Sequence, residues 1–361
     1  MLAPNFYAGI FIIIGTLFGS SISAQAQTPP EGVKLQSTIA LQPDNDLLLR
    51  SALSTTDCPA FSKLSSDFQK RFLVPMSSWA EQHTSTLNAK KIVYPFSGAD
   101  IVTPASFFQG ADHLVLVADQ FPDYVRKQVT TPGETDKECD IMMYFARYGY
   151  FKTNDLTGKD SVSPRFHKLL SYNIALIDAK INSINFLVIE ENGGTTVYSR
   201  IDGIKPDGLG FLVTTPKGRD IKIDYVRIDL SNKGVKLGNR FHAFLNGQIV
   251  DTVFLKSASH LLQKPYFSNL ANVITDKARN VVQDETGLDI EPLRKAFDIR
   301  SYGKFDAPHP LWQNSESGQR LIKYLTDQTT IEPLPFVIGY EKKSGSLLLV
   351  SSRKPKSNWM S

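Results

Sequence analysis

The sequence has few cysteines and lacks the motifs of several common enzyme classes. Cysteine occurs only at Cys58 and Cys139. The six histidines form no H-x-x-x-H or H-E-x-x-H pair, so the ligand spacing of a zinc hydrolase is missing and we predict no metal site. There is also no G-x-S-x-G turn and no G-x-x-x-x-G-K-[ST] loop. These absences remove the main sequence signatures of α/β-hydrolases and P-loop nucleotide hydrolases.

Charge of one sign is not concentrated anywhere in the chain. The 40 Lys and Arg residues and 36 Asp and Glu residues give a formal net charge of +4, and no run of five like charges occurs. Without a basic tail or block, we predict no nucleic-acid partner. Hydrophobic residues make up 42% of the chain, which is enough to bury a sizeable core.

Only the N-terminus carries a long apolar run. Residues 6–22 are apolar and are followed by the small-x-small sequence Ala24-Gln25-Ala26, so we predict a signal peptide over residues 1–26. The mature chain is then exported, to the periplasm or outside the cell, and has no membrane segment after cleavage. A retained membrane anchor is the alternative, because no Lys or Arg precedes Phe6. We predict a linker or loose arm over 27–50 and a single α/β domain over 51–361.

Export also bears on the two cysteines. In an oxidising compartment Cys58 and Cys139 can form a disulfide, since they are the only cysteines present. Two unrelated free thiols are the alternative, because separation along the sequence does not give the distance between the two Cα atoms.

The remaining chain is organised around Lys90–Pro122. An apolar run at 92–96, a small-residue turn at 97–100, a helix starting at Thr103 and a second apolar run at 114–118 predict a β-α-β unit with parallel strands. In such a unit the turn and the residue after the second strand lie at the same edge of the sheet.

This edge supplies the first candidate ligand-binding residues, which are Ser97, Gly98, Asp100 and Asp119. Gly98 precedes Asp119 by 21 positions, close to the spacing at which nucleotide-binding α/β folds place an acidic residue on a ribose hydroxyl. The alternative is that Gly98 serves only the backbone geometry of the turn.

Two polar clusters are further candidates. Lys256, Ser257 and His260 fall within one turn of a predicted helix, where a cation, a hydroxyl and an imidazole can converge on an anion. Asp284 and Glu285 are a candidate acid/base pair. An ordinary capped helix start and a capped loop are the respective alternatives.

Several local structures are also predicted from hydrophobic periodicity and turn residues. They are a helix from Cys58 to about Trp79 that Pro75 ends or kinks, a β-rich insertion over about 184–254 with a turn at 215–218, helices over 257–262 and 267–282, and a C-terminal β-hairpin over 335–355 with its turn at 343–345.

Several motifs resemble those of an uncharacterised family of exported bacterial proteins that carry YPFSG[AP]D. They include YPFSGAD at Tyr94–Asp100, GYFKT at Gly149–Thr153 and YGKF at Tyr302–Phe305. The resemblance covers most of the mature chain and implies no particular activity, cofactor or catalytic residue. The chain has Ala99 where the family pattern also allows proline.

A looser resemblance is to the methyltransferase-like branch of the doubly wound α/β folds. The first strand-to-helix turn, the acidic residue after the second strand and a terminal antiparallel hairpin are similar, whereas the glycine-rich loop that binds S-adenosylmethionine is absent. This resemblance implies a mixed, mainly parallel doubly wound sheet, a Rossmann variant with helices on both faces, the β-rich insertion and the C-terminal hairpin.

The leading hypothesis is an exported periplasmic binding or accessory protein with a methyltransferase-like fold but no catalysis. Its partner would be an unknown small molecule or a protein, and no cofactor is predicted. The alternative is a periplasmic hydrolase or transferase that uses the Lys256/Ser257/His260 cluster or the Asp284/Glu285 pair. Export disfavours methyl transfer, because S-adenosylmethionine is a cytoplasmic cofactor.

The signal peptide gives a first testable prediction. Signal cleavage after Ala26 should leave a mature protein that begins near Gln27. N-terminal sequencing of the protein from the periplasmic fraction checks this. Material that still begins at Met1 would instead make the apolar run a membrane anchor.

Overall fold

The computed structural model describes residues 58, 61–119, 137–151, 166–200, 203–304, 315–328, 331–340 and 346–355. The predicted signal peptide, the arm over 27–50 and the turn at 343–345 lie outside these residues and stay predictions. The same holds for the predicted start of the α/β domain at residue 51.

Ten strands of the described chain form one mixed sheet. They are β1 (Lys91–Pro95), β2 (His113–Asp119), β3 (Lys180–Ile189), β4 (Thr195–Tyr198), β5 (Gly208–Thr214), β6 (Asp220–Ile228), β7 (Thr252–Leu255), β8 (Asn280–Gln283), β9 (Phe297–Gly303) and β10 (Leu347–Arg353). Their spatial order is β4-β3-β5-β6-β2-β1-β7-β8-β10-β9.

The five central strands, β6, β2, β1, β7 and β8, run parallel to one another. Antiparallel strands flank them on both sides. The expectation of a mainly parallel sheet is therefore wrong, because most neighbouring pairs in the described sheet are antiparallel. Nearly continuous burial along β1 and β2 fits the position of these strands at the centre.

The β-α-β unit predicted around Lys90–Pro122 is confirmed. Strands β1 and β2 are parallel neighbours, with Tyr94 opposite Leu116, and the helix α3 (Val102–Phe107) connects them. Phe107 and the following Phe108 are buried. The Asp100 carboxylate, which precedes this helix, accepts a hydrogen bond from the Thr103 N–H in its first turn.

The β-rich region predicted over 184–254 is not an insertion. Strands β3, β4 and β5 extend the same sheet at one edge, while β6 and β7 are two of its central parallel strands. Strand alternation cannot tell a separate insertion from an extension of the main sheet, because side chains alternate in the same way in both. The predicted turn at 215–218 is confirmed between antiparallel β5 and β6.

Helices cover both faces of the described sheet, as predicted. The α-helices are α1 (Phe61–Phe68), α2 (Val74–His83), α3, α4 (Lys137–Tyr148), α5 (Phe166–Leu176), α6 (Arg240–Gln248), α7 (Ser268–Lys277), α8 (Ile290–Ala296) and α9 (Glu316–Thr326). Because side chains alternate along a strand, Tyr94 packs with α1 to α5 on one face and Val93 with α6 to α9 on the other.

The first helical segment continues past Pro75. Helices α1 and α2 are joined without a break by a π-helical turn, Gln69–Leu73, and α2 reaches His83. Pro75 directly follows the π-helical turn, where the regular α-helical hydrogen bonding is already interrupted, so its missing N–H costs little. Consequently the proline does not end the helix at this point.

The prediction of a helix over 257–262 is wrong. Ser257, Ser259 and His260 have positive φ angles of 54°, 53° and 57°, and only a short 3-10 turn, Leu261–Gln263, follows. An α-helix needs negative φ at every residue, so this segment is a loop. The helix predicted over 267–282 is α7 followed by β8, because Ala278 is extended and ends the helix.

The prediction of a C-terminal hairpin over 335–355 is also wrong. Strand β10 pairs with β8 on one side and β9 on the other, so no edge is left for residues 335–340. Ile338 instead donates its backbone N–H to the Ser346 hydroxyl, which donates in turn to the Ile338 carbonyl. Burial of Phe336 and Ile338 explains the apolar pattern that resembled a strand.

None of the helices in the described part of the chain has the length and apolar character needed to cross a lipid bilayer.

A disulfide joins Cys58 to Cys139, with the Cα atoms 5.5 Å apart. It links the residue just before α1 to the first turn of α4. The two helices also pack directly, since the Phe68 and Phe145 ring centres are 5.5 Å apart. The disulfide therefore reinforces an existing contact between helices on one face of the sheet.

Loss of this disulfide should destabilise the protein. The two cysteines are 81 positions apart, and closing a loop of this size stabilises by roughly 4 kcal/mol on the chain-entropy model. Urea unfolding of the double variant Cys58→Ser/Cys139→Ser should show a loss of this order. Reductant should weaken the wild-type protein and leave the double variant unaffected; equal stability of the two proteins would contradict the prediction.

Candidate functional site

The candidate site lies where the strand order reverses. The strands β2 and β6, which follow β1 in the parallel part of the sheet, lie on one side of β1. The later parallel strands β7 and β8 lie on its other side. In open α/β sheets ligands bind outside the carboxyl ends of the strands at this reversal. The loops after β1 and β7, which begin at Phe96 and Lys256, therefore form the expected location.

A buried ion pair connects these two loops. The Lys256 ammonium donates to the Asp100 carboxylate at 2.5 Å, to the Thr103 hydroxyl at 2.8 Å and to the Gly149 carbonyl at 2.7 Å. The side chains of Lys256 and Asp100 are only 3% and 2% exposed. An ammonium group has three N–H donors, and all three are used inside the protein.

Tyr94 adds to this network from β1. Its hydroxyl oxygen is 3.3 Å from the Asp100 carboxylate and 3.4 Å from the Lys256 carbonyl, so its one proton is shared between these two acceptors. Burial, and then the charges of Asp100 and Asp284, raise the pKa of Tyr94 well above its usual value. The tyrosine consequently stays protonated and acts as a hydrogen-bond donor.

A cavity of about 100 Å³ lies between the two loops. It is lined by Tyr94, Phe96, Ser97, Gly98, Asp100, Ala118, Asp119, Tyr150, Phe151, Phe166, Lys256, Ser257, Ala258, Ser259 and Leu261. Six of the predicted candidates, Ser97, Gly98, Asp100, Asp119, Lys256 and Ser257, are therefore brought together. The β-α-β prediction required this proximity of the turn at 97–100 and Asp119, whereas Lys256 and Ser257 join them from the loop after β7.

Asp119 contributes a carboxylate at the end of β2. One of its oxygens accepts the backbone N–H of Leu230 at 2.8 Å, and no described lysine or arginine forms an ion pair with it. Burial raises the pKa of Asp119, the hydrogen bond from Leu230 acts in the opposite direction, and the nearby charge of Asp229 raises it further. The β-α-β topology predicted that Asp119 lies at the same edge of the sheet as the turn at 97–100.

Ser257 is held in an unusual conformation. Its φ of 54° is in the left-handed region, its N–H donates to Asp284 at 2.8 Å, and its carbonyl accepts from the Tyr340 hydroxyl at 3.0 Å. Its buried hydroxyl has no hydrogen-bond partner among the described residues. Buried hydroxyls are normally paired, so this group is suited to a bound molecule.

The cluster of Lys256, Ser257 and His260 does not form as predicted. Lys256 and Ser257 line the cavity, but His260 does not, because the chain between them is a loop and the side chains do not follow helical spacing. The backbone N–H of His260 donates to the Thr286 carbonyl, which fixes the loop against the segment after β8. There is no helix N-terminus here to bind an anion.

Asp284 and Glu285 follow β8 and are buried, but neither lines the cavity. The Asp284 carboxylate accepts hydrogen bonds from the Ser257 N–H, the Thr286 N–H and the Thr286 hydroxyl. Burial and the adjacent Glu285 raise the pKa of Asp284 to about 7, while these hydrogen bonds act in the opposite direction. In the structure Asp284 holds the Ser257 loop, and a role of the Asp284/Glu285 pair as an acid/base site stays a prediction.

Aromatic residues of the site were not predicted as ligand-binding residues. Tyr150 and Phe151 line the cavity from the segment after α4, and Phe166 does so from the start of α5. The GYFKT motif at Gly149–Thr153 pointed to this segment, and Gly149 proves to be the carbonyl partner of Lys256. Hydrophobic periodicity cannot tell which buried aromatic residues border a cavity.

Within the residues that the structure describes, no three His, Cys, Asp or Glu side chains are grouped so that they could hold a metal ion.

The ion pair gives a stability prediction. Lys256→Met should lower the free energy of unfolding by about 3–5 kcal/mol, because it leaves the Asp100 carboxylate buried without its cation. Denaturant unfolding measures the loss. The double variant Asp100→Asn/Lys256→Met should recover part of it, since the buried charge is then removed; a single variant as stable as the wild type would show that the pair is not needed.

In comparisons with known proteins, no family model matches the chain and no curated protein matches it. The two resemblances drawn from the sequence motifs therefore stay predictions, and function has to be argued from the geometry of the site.

Proposed function

We propose that this is an exported binding or accessory protein whose cavity at the strand reversal takes a small ligand. The observation that carries the proposal is the concentration of backbone strain at the cavity. Of the six non-glycine residues with positive φ in the described chain, Phe96, Ser257, Ser259 and His260 lie in the two loops after β1 and β7. Strained residues persist where the surrounding structure enforces them, typically at ligand and active sites.

The proposal includes a methyltransferase-like sheet. Numbered along the chain, the five central parallel strands have the order 3-2-1-4-5, which is that of doubly wound folds. The antiparallel β10 lies between β8 and β9 and takes the place of the terminal hairpin inferred from the sequence. Asp119 at the end of the second strand is a further similarity.

The cavity supports binding of a molecule smaller than a nucleotide cofactor. Sites for drug-sized ligands and cofactors usually measure about 300–1,000 Å³. The cavity here is about 100 Å³, and the loop after β1 has only one glycine, Gly98. Both features argue against S-adenosylmethionine as the ligand.

The alternative function, a periplasmic hydrolase or transferase, has less support. All three Lys256 donors are used by Asp100, Thr103 and Gly149, so this lysine is not available as a base or nucleophile. No described base lies within hydrogen-bond distance of the Ser257 hydroxyl to activate it. The Asp284/Glu285 pair is outside the cavity lining.

A thermal-shift screen of small polar compounds against the mature protein tests the proposal. A molecule that binds only the native state raises the melting temperature, by an amount corresponding to about 2.7 kcal/mol when present at a hundred times its dissociation constant. We expect at least one compound to raise the melting temperature and S-adenosylmethionine to leave it unchanged.

Two substitutions on β2 locate the binding. Ala118 lines the cavity and Val117 points to the opposite face of the sheet. Ala118→Leu should abolish the shift by filling the cavity, whereas Val117→Ile should preserve it. Compounds that still bind Ala118→Leu with undiminished affinity would place the ligand elsewhere and contradict the proposal.

A further inference from the structure

The charges that border the cavity are unevenly balanced. Asp100 is neutralised by Lys256 within the protein, whereas Asp119 has no cationic partner among the described residues. Asp119 retains one carboxylate oxygen that accepts nothing from the described chain. The lining residues thus leave one uncompensated negative charge, which favours a positively charged ligand over an anion.

Aromatic side chains form much of the remaining wall. Five aromatic residues, Tyr94, Phe96, Tyr150, Phe151 and Phe166, are among those that line the cavity. Aromatic rings attract cations through the negative potential over their faces, and groups of them recognise alkylated ammonium ions.

The cations of the protein itself already use aromatic rings in this region. The Lys256 ammonium nitrogen is 5.7 Å from the centre of the Phe145 ring. The Arg227 guanidinium carbon is 4.4 Å from the centre of the Phe166 ring, and Arg227 does not itself line the cavity. Each of these rings therefore lies beside a cation of the protein itself, and one of them, that of Phe166, belongs to a residue of the cavity lining.

The volume restricts the size of the ligand. A cavity of about 150 Å³ lined by apolar residues holds benzene, which has six carbon atoms. The cavity here is somewhat smaller, at about 100 Å³. A head group of about five non-hydrogen atoms, such as a methylated ammonium, matches this size.

We propose that the cavity binds a small alkylammonium group, with Asp119 as its counter-ion and the aromatic residues around it. The inference rests on the proposed binding function and names the chemical class of the ligand. Asp119 is the specificity-determining residue, because its carboxylate is the uncompensated charge of the lining. Tyr150, which is only half-buried, contributes a ring at the edge of the cavity.

The test compares two probes of similar shape and different charge. Tetramethylammonium chloride should raise the melting temperature of the mature wild-type protein above the value in sodium chloride at equal ionic strength. Neutral tert-butanol at the same concentration should not. Because both probes have a tetrahedral apolar form, a difference between them reports charge.

Matched variants assign the charge to one residue. Asp119→Asn keeps a carbonyl oxygen for the Leu230 N–H, so we expect it to fold and to bind tetramethylammonium about tenfold or more weakly by calorimetry. Asp229→Asn removes the same charge nearby from a residue that does not line the cavity, and should bind like the wild type. Tyr150→Leu should weaken binding and the neighbouring Tyr148→Leu should not.

Three results would overturn the inference. They are an equal shift with tert-butanol, no shift with tetramethylammonium, or undiminished binding of tetramethylammonium by Asp119→Asn. If the library still yields neutral or anionic ligands that Ala118→Leu excludes, the binding function stands and only the ammonium class is wrong. If no compound binds at all, the proposed function fails with it.

Discussion

The structure of the site depends on the buried ammonium group of Lys256, which lies at the carboxyl ends of the central strands. Lys256 connects the loop after β7 to the Asp100 carboxylate, to the Thr103 hydroxyl of α3 and to the Gly149 carbonyl after α4. Burying a charge is costly unless it is paired and fully hydrogen-bonded, and here every donor has an acceptor. The three hydrogen bonds that stabilise the network also occupy every donor of Lys256, so this lysine is not available as a base or nucleophile. A binding function is therefore better supported than a catalytic one.

The parts of the fold that depend on local sequence were predictable. A buried strand, a turn, a helix and a second buried strand around Gly98 could be recognised, because parallel neighbours need a connection that returns the chain to the same end of the sheet. The partner of β10 was not predictable in this way. Residues 335–340 have the apolar pattern of a strand, but β10 already has β8 and β9 on its two sides, and pairing between distant segments leaves no local signal.

The residues of the candidate site likewise include some that could be predicted from the sequence and some that could not. Gly98, Asp100 and Asp119 follow from the ends of two adjacent strands, so their meeting at one cavity could be inferred from topology alone. His260 was placed wrongly because helical spacing was assumed across Ser257 and Ser259, whose positive φ angles make the segment a loop. Nothing in a serine indicates such a conformation, since it is imposed by the Asp284 and Tyr340 hydrogen bonds from elsewhere in the chain.

The conformation of this loop connects the fold with the proposed ligand binding. Asp284 holds the Ser257 N–H and Tyr340 holds its carbonyl, so the backbone is anchored on both sides while the hydroxyl is left without a described partner. A buried hydroxyl without a partner costs free energy, and so does a residue held at positive φ. A fold that needed only stability at this position would gain by relaxing both. Their persistence beside the carboxylate of Asp119 is what a preformed binding site for a small polar molecule requires, because groups already held in place lose little freedom when the ligand arrives.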